Sequence, residues 1–289
     1  MNLDLVLVTY NPDVSLLKSV IKSIASLVRH VIVVDNSPVV FSNTEIQSIE
    51  NVRFIPLNEN KGIAFAQNVG IKECINLKAD YILLSDQDTI YPEAFVINMF
   101  KGVQCEFSAI SPLFNDVHQK NSNQGFIKKS RFGFRKFYPS SGVHSVFQTI
   151  ASGCILNVKD LDAIGLMDEE LFIDWVDIEW CWRASNKGYK LLGNANVTIS
   201  HQLGDGAVSV GFREVNIRSP FRHYFITRNA FYLSLYCKNL GYIHRAVLFV
   251  KSFRYLIGFP VLSKPHAVHL KCTVRGFWHG ITGNLGKYK

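Results

Sequence analysis

At 289 residues, with 48% hydrophobic side chains, the chain can bury a sizeable core, which excludes a disordered or fibrous protein. The six cysteines, Cys74, Cys105, Cys154, Cys181, Cys237 and Cys272, form no C-x-x-C pair, which excludes the usual zinc and disulfide patterns and points to reduced thiols in a cytoplasmic protein. The net charge of +8 is uneven: residues 213–289 hold thirteen Lys or Arg and one acid, Glu214, so the tail carries +12 against −4 elsewhere and calls for an anionic partner.

The chain opens directly on LDLVLVTY, without a basic leader or cleavage site, so no secretory signal is expected. That apolar run reads as a strand ending in polar residues at Thr9 and Asn11. Asp13 can then cap a helix whose apolar positions Leu17, Val20, Ile21, Ile24, Leu27 and Val28 follow the helical period. Residues 31–34 form the next apolar run, and it stops at Asp35, followed by Asn36 and Ser37. Strand, helix and strand in this order predict a βαβ unit with a parallel, doubly buried pair.

A third strand over residues 52–56 leads through LNENKG, which contains Asn60, to a helix predicted over residues 63–77. Gly62 at its mouth leaves backbone room and positive dipole for an anion, and it also suits a plain boundary. The fourth strand, YILLSDQDTIY, ends on Asp86 and Asp88 before Pro92, where a helix is expected to open. Carboxylates at the carboxyl ends of such strands can hold a hard divalent cation and, through it, a phosphate; they also make ordinary turn and cap residues. No G-x-G-x-x-G follows a strand and no G-x-x-x-x-G-K-[ST] occurs, which disfavours dinucleotide and P-loop designs.

Residues 112–146 interrupt the alternation with a basic segment, read as two short strands around Gly133 that form a lid or excursion. Its Lys128, Lys129, Arg131, Arg135 and Lys136 either grip an anionic acceptor or make a solvated face. FQTIASGCILNV reads as a strand with a bulge at Gly153, followed by a short capped segment over residues 160–165. In the next acidic cluster, a helix over residues 176–187 puts Asp177 in its first turn and sets Glu179 four residues before Arg183, the favourable order for an ion pair. NVTISHQLGD reads as a strand ending at His201. FRHYFITRNAFYLSLY is an aromatic helix carrying Arg222, His223 and Arg228. The later stretch AVLFVKSFRYLIGFPVL is too short and too charged for a secure membrane span, but an amphipathic basic helix can lie in an interface or pack on the domain.

Thr9-Tyr10-Asn11, Val34-Asp35-Asn36-Ser37, Asn60-Lys61-Gly62-Ile63-Ala64 with Asn68 and Gly70, and Ser85-Asp86-Gln87-Asp88-Thr89 together resemble glycosyltransferase family 2 with the GT-A fold. Within that family they look most like bacterial rhamnosyltransferases of polysaccharide assembly, over a stretch reaching Asn229. The resemblance implies an α/β catalytic domain over residues 1–215, with a Rossmann-like, mostly parallel sheet flanked by helices, and a basic helical C-terminal region over residues 216–289. It implies a nucleotide site of Thr9, Asn11, Asp35, Asn60, Gly62 and Asp86, and a Mg2+ or Mn2+ site of Asp88, Asp86 and His201. Arg228 and Arg222 would meet the diphosphate. Asp177 aligns with the family's general base, although Val176 stands where the family has Glu; Glu179 would support it, with Asp174 as the fallback. A carboxylate accepts the N3 hydrogen of uracil or thymine and finds none on cytosine, so Asp35 would select a dTDP- or UDP-sugar without separating the two.

The resemblance thus implies an inverting transferase that moves L-rhamnose from dTDP-L-rhamnose, or another hexose, onto a lipid-linked glycan. Such an enzyme would be cytoplasmic and peripheral on the inner face of the cell membrane, touching an anionic membrane surface and no nucleic acid. Two readings from other classes remain open. A sugar-nucleotide pyrophosphorylase would need a Gly-rich basic loop where this chain has VTYNPD, and a non-catalytic nucleotide- or membrane-binding module would have no use for Asp177.

Overall fold

A computed structural model describes residues 1–41, 44–116, 125–201, 206–210 and 213–288; for residues 115–116, 200–201, 206–210 and 213–217 it describes the backbone only. The first strands form where apolar residues run without a break. β1 (Leu3–Thr9), β2 (Val31–Asp35), β3 (Val52–Pro56) and β4 (Tyr81–Asp86) pair in parallel in the order β3-β2-β1-β4. Between them lie α1 (Val14–Ile24), the single turn α2 (Thr44–Gln47) and α3 (Ile63–Asn76). The Asp13 carboxylate starts α1 by accepting from the backbone N–H groups of Ser15 and Leu16.

Strand alternation sorts β1 between two cores. Leu5 and Leu7 pack with Leu17, Val20, Ile21 and Ile24 on the α1 side, whereas Val6 packs with Ile71, Trp180 and Trp182 on the other. Gly70 sets how closely α3 lies on β1, because a Cβ there would fall 2.4 Å from the Val6 side chain. Asp4 is buried in the same strand, and Arg29 grips both its oxygens at 3.0 and 2.8 Å.

After β4, Pro92 opens a turn, and α4 begins only at Phe95 (Phe95–Phe100). β5 (Ala109–Asp116) joins the sheet, and β6 (Phe126–Ser130) and β7 (Gly133–Phe137) pair as a separate hairpin around Gly133, the two strands expected there, which packs on the body through Phe126 and Phe134. β8 (Val143–Val146) follows. The strand expected across FQTIASGCILNV is shorter than its pattern: β9 is only Ile155–Asn157, because Gly153 turns the chain at φ +74. Asn157 then caps α5 (Val158–Ile164), which starts earlier than the expected residue 160.

α6 (Val176–Asn186) and β10 (Leu191–His201) complete the body, with β11 (Gly206–Val210) and β12 (Arg213–Ile217) as a separate pair. The large sheet runs β3-β2-β1-β4-β9-β5-β10-β8; β9 is antiparallel to both neighbours and β8 is antiparallel to β10.

The tail folds as α7 (Pro220–Tyr236), α8 (Tyr242–Leu262) and α9 (His266–Thr282). Gly276 and Gly280 let α9 lie directly on α7, since a Cβ at either would sit 2.6 Å from the Tyr224 carbonyl oxygen or 2.5 Å from that of Arg228. Among the described residues no helix is long and apolar enough to cross a membrane.

Candidate functional site

Parallel register brings the polar strand ends to one edge. Thr9 lies opposite Asp35, and Val8 opposite Asp86, so the acids that end β2 and β4 flank the end of β1. In open α/β sheets this carboxyl edge is where ligands sit. Asp35 is fully buried, and one of its oxygens, Oδ1, accepts from Thr9 Oγ1 at 3.0 Å, Ser37 Oγ at 2.6 Å and Ser37 N at 3.2 Å. Its Oδ2 is buried with no hydrogen-bond partner among the described residues. A buried carboxylate oxygen left in this state awaits a donor.

The loops around Asp35 are tied to it and to one another. Asn11, at φ +43, donates its N–H to Ser37 Oγ at 2.8 Å. Asn36 donates to Asn60 Oδ1 and accepts from the N–H of Lys61, and Asn60 Oδ1 also accepts from Gly62 N. Asn60 therefore shapes the loop beside the pocket. The room at Gly62 is filled by the protein itself: Ala64 N donates to the Phe172 carbonyl, and a Cβ on Gly62 would lie 2.6 Å from that oxygen. The missing side chain leaves room for Phe172 to pack at this helix mouth.

The Asp86–Asp88 turn is braced by residues for which the sequence analysis assigned no separate role. Gln87 Oε1 accepts from Tyr10 N at 2.8 Å and its amide donates to Tyr10 O at 3.4 Å, locking the β1 and β4 loops together. Thr89 Oγ1 and Ser152 Oγ are 2.7 Å apart. Among the described residues no three His, Cys, Asp or Glu side chains gather as a ready metal cage. Asp86 and Asp88 supply two hard oxygen ligands, a donor set that suits Mg2+ or Mn2+ completed by phosphate and water. His201 ends β10, and its side chain lies outside the described residues.

Asp177 reaches the same edge from α6. Its carboxylate accepts from Ile178 N at 2.9 Å and from Ala151 N at 3.2 Å, next to the Ser152 that meets Thr89. Burial pushes its pKa up to about 6, and the nearby Asp86 and Asp174 carboxylates push in the same direction against the two N–H donors. Asp86 and Asp177, far apart in the chain, thus share one electrostatic environment.

Other expected site residues are committed elsewhere. Glu179, two positions along the helix from Asp177, faces another way and binds Arg183 at 2.8 and 3.2 Å, while Arg183 also donates to the carbonyls of Ile164 and Leu166. It is a packing ion pair rather than a support for Asp177. Asp174, the fallback base, is gripped by Arg222 at 2.7 and 2.5 Å, which also gives Arg222 a partner other than a diphosphate. Arg228 is wholly buried and donates to Asn229 Oδ1 and to the carbonyls of Gly286, Glu170 and Leu171. With its guanidinium spent inside the fold, it does not face a ligand. The neighbouring Asn229, whose amide nitrogen lies 2.9 Å from the carbonyls of Leu171, Ile173 and Asp174, joins it in holding the loop before Asp177.

The sequence matches the model of the family described as Glycosyl transferase family 2 over residues 4–159. It is 33% identical to the dTDP-rhamnosyl transferase RfbF of Shigella flexneri over 236 residues, 80% of this chain and 79% of that protein. It is 22% identical to the low-salt glycan biosynthesis hexosyltransferase Agl10 of Haloferax volcanii over 303 residues, 99% of this chain and 93% of that one. Among solved structures, S. aureus TarS 1-349 in complex with UDP-GlcNAc superposes with a TM-score of 0.57 at 14% identity, covering 97% of this chain and 82% of that one. GalNAc-T7 with UDP, GalNAc and Mn2+ gives the same TM-score and identity; 98% of this chain is covered, but it spans only 58% of that protein. These two likenesses establish the shared fold.

Proposed function

The chain belongs to glycosyltransferase family 2, and on that footing we propose that it transfers L-rhamnose from dTDP-L-rhamnose, with inversion, to a hydroxyl of a lipid-linked glycan in bacterial cell-surface polysaccharide synthesis. The observation that carries the reading is the position of Asp177, a half-buried carboxylate with its pKa lifted to about 6 beside Asp86. It is ionised at neutral pH yet basic enough to take a proton as an acceptor oxygen attacks the anomeric carbon. Attack from the face opposite the departing nucleoside diphosphate needs one displacement and one base, and it inverts the centre.

The spare Oδ2 of Asp35 would accept the N3 hydrogen of the donor's pyrimidine, while Thr9 and Ser37 hold the carboxylate in place. Asp86 and Asp88 would hold Mg2+ or Mn2+, whose charge would offset that of the leaving diphosphate; the Mn2+ in the GalNAc-T7 structure supports a divalent ion. An acceptor carried on a lipid would make the enzyme a peripheral protein of the inner membrane face. Because Asp35 accepts equally from uracil, transfer of another hexose from a UDP donor is the second reading, favoured by the likeness to the Agl10 hexosyltransferase.

The test is to incubate the purified protein with dTDP-rhamnose or UDP-hexoses and a lipid-linked acceptor, with and without Mn2+ or Mg2+, alongside Asp177→Asn. Glycan extension from dTDP-rhamnose that disappears in the variant supports the first reading, and extension from UDP-hexose alone supports the second. Nucleotide binding without turnover, or nucleoside triphosphate formed from pyrophosphate, sinks both.

A further inference from the structure

The exposed sides of α8 and α9 are apolar where a soluble helix carries charge. On α8, Val250, Phe253, Ile257 and Val261 recur at intervals of three or four and so share one face; Val250 is 69%, Ile257 62% and Val261 66% exposed. On α9, Leu270, Val274 and Trp278 recur every four residues on the outer face, with Trp278 61% exposed. The two stripes meet along the helix seam, where the Phe253 and Phe277 rings lie 6.3 Å apart and the Thr273 hydroxyl approaches the Leu256 carbonyl at 3.3 Å. Large apolar side chains left exposed together on two adjacent helices mark a binding face.

The charge around it is of one sign. Residues 242–282 contain six Lys or Arg and no Asp or Glu. Arg254, Lys264 and Lys271 are exposed, and none has an ion-pair partner among the described residues.

We propose that the outer faces of α8 and α9 are a docking surface for an anionic lipid bilayer, into whose interface the apolar stripe sinks while the flanking cations meet lipid phosphates or carboxylates. The inference deepens the transferase reading and rests on it for why a bilayer should lie near this enzyme; the surface itself is defined by exposure and charge. Among the described residues no helix is long and apolar enough to span, and α8 carries Arg245, Lys251 and Arg254 along its length, so the contact lies in the plane of the leaflet. A second copy of the chain fits less well, because a two-fold contact would set the unpaired cations of one face against those of the other. An anionic leaflet satisfies both the apolar stripe and its rim.

Trp278 provides a built-in probe: Trp180 and Trp182 are buried and Trp175 is half-buried, so the exposed indole signal belongs to Trp278. The full chain is mixed with vesicles of zwitterionic lipid alone or with an added anionic phospholipid, at low and high salt, in the absence of sugar donor. Sedimentation with anionic vesicles only, release by salt and a blue shift of Trp278 emission that is absent in Trp278→Phe are the expected results. The pair Arg254→Gln and Lys271→Gln should weaken vesicle affinity roughly 25-fold, and Ile257→Ser with Val261→Ser should abolish the blue shift, with circular dichroism confirming the fold of each variant.

Failure of the wild type to bind anionic vesicles at low salt overturns the proposal. So does binding that these variants leave unchanged, or a concentration-dependent dimer that Ile257→Ser and Val261→Ser dissolve, which would make the face an interface between copies. The two readings fail separately. Turnover of a detergent-solubilised acceptor without vesicle binding removes the docking surface alone, and vesicle binding without turnover of any donor removes the transferase reading alone.

Discussion

Arg222 grips Asp174 at two points, Nε to Oδ2 at 2.7 Å and Nη2 to Oδ1 at 2.5 Å, and so ties the start of α7 to the loop that delivers Asp177. That loop is strained: Phe172, Asp174 and Trp175 all have φ between +62 and +68, a region costly for side-chain-bearing residues. Asn229 and Arg228 hold its carbonyls, and the Trp175 indole donates to Ile226 O at 3.1 Å. The tail helices therefore fix the geometry of the residue proposed as the base.

If α7 positions this loop, Arg222→Ala should lower kcat at least tenfold while leaving dTDP affinity unchanged, with Arg222→Lys in between because it keeps the charge and loses the two-point fork. Asn229→Ala removes a donor from the part-buried carbonyls of Ile173 and Asp174 and should cost about 1 to 2 kcal/mol of stability. Steady-state kinetics with nucleotide titration, and thermal unfolding, check the two effects. A loss of nucleotide affinity in Arg222→Ala would instead place that guanidinium on the diphosphate.

Asp177→Asn should reduce turnover by about 100- to 10,000-fold, the usual contribution of a general base, and yet stabilise the fold. Its folded pKa is raised, from 3.8 to about 6, so the stability linked to this group is present below its unfolded pKa and lost as pH rises through about 6. At pH 8 the ionised carboxylate is a burden of up to about 3 kcal/mol, which the amide removes; near pH 3 the two proteins should melt alike. Paired denaturation curves at pH 8 and pH 3 measure the difference. The wild-type pH-rate profile should show an acid limb near 6.

Asp35→Asn should weaken binding of both dTDP and UDP by about 10- to 100-fold, the effect of losing a charged acceptor for a buried N–H, and should improve binding of a cytidine nucleotide relative to them. Calorimetric titration of the three nucleotides is the check. Equal affinities in variant and wild type would remove Asp35 from the base pocket.

Gly62→Ala should destabilise by about 1 to 3 kcal/mol, because the new Cβ meets the Phe172 carbonyl at 2.6 Å in a backbone at φ +89. If Gly62 only left room for an anion, the change would affect ligand affinity and spare the melting temperature, so both are measured.

His223 is buried between helices: its ring stacks on Phe259 at 3.8 Å, its Nε2 accepts from Arg218 N at 3.2 Å, and its Nδ1 lies 2.8 Å from His269 Nδ1. Burial and the neighbouring His269 and Arg218 charges lower its pKa to about 4. The stability this brings is present above about 6.5 and lost as pH falls through 4. The tail helices should therefore loosen first on acidification, seen as accelerated amide exchange in α7 and α8 near pH 5 that His223→Gln reduces.

The parallel strands and their polar ends were legible in the residues because unbroken apolar runs such as LDLVLVT and YILL fit only a strand buried on both faces, and such strands expose their ends alone. Asp35, Asp86 and Asp88 could be placed at one edge on that ground. Local signals also located α1, α3, α6 and the hairpin around Gly133. Where a pattern was interrupted from afar, the reading slipped: Gly153, packed under Ile199 and Pro112, turns the chain and shortens β9.

Sequence alone determined the kind of protein: the alternation of elements, the edge carrying the acids and the basic tail follow from local composition and spacing. Tertiary structure decided which charged groups face outward. Glu179 has an intrahelical partner, Arg228 is consumed by carbonyls on the 170–174 loop and in the C-terminal tail, Phe172 fills the mouth at Gly62, and burial lifts the pKa of Asp177. A side chain's chemical type is written at its own position, but its partners, solvent exposure and therefore its charge are set by residues brought next to it from elsewhere in the chain.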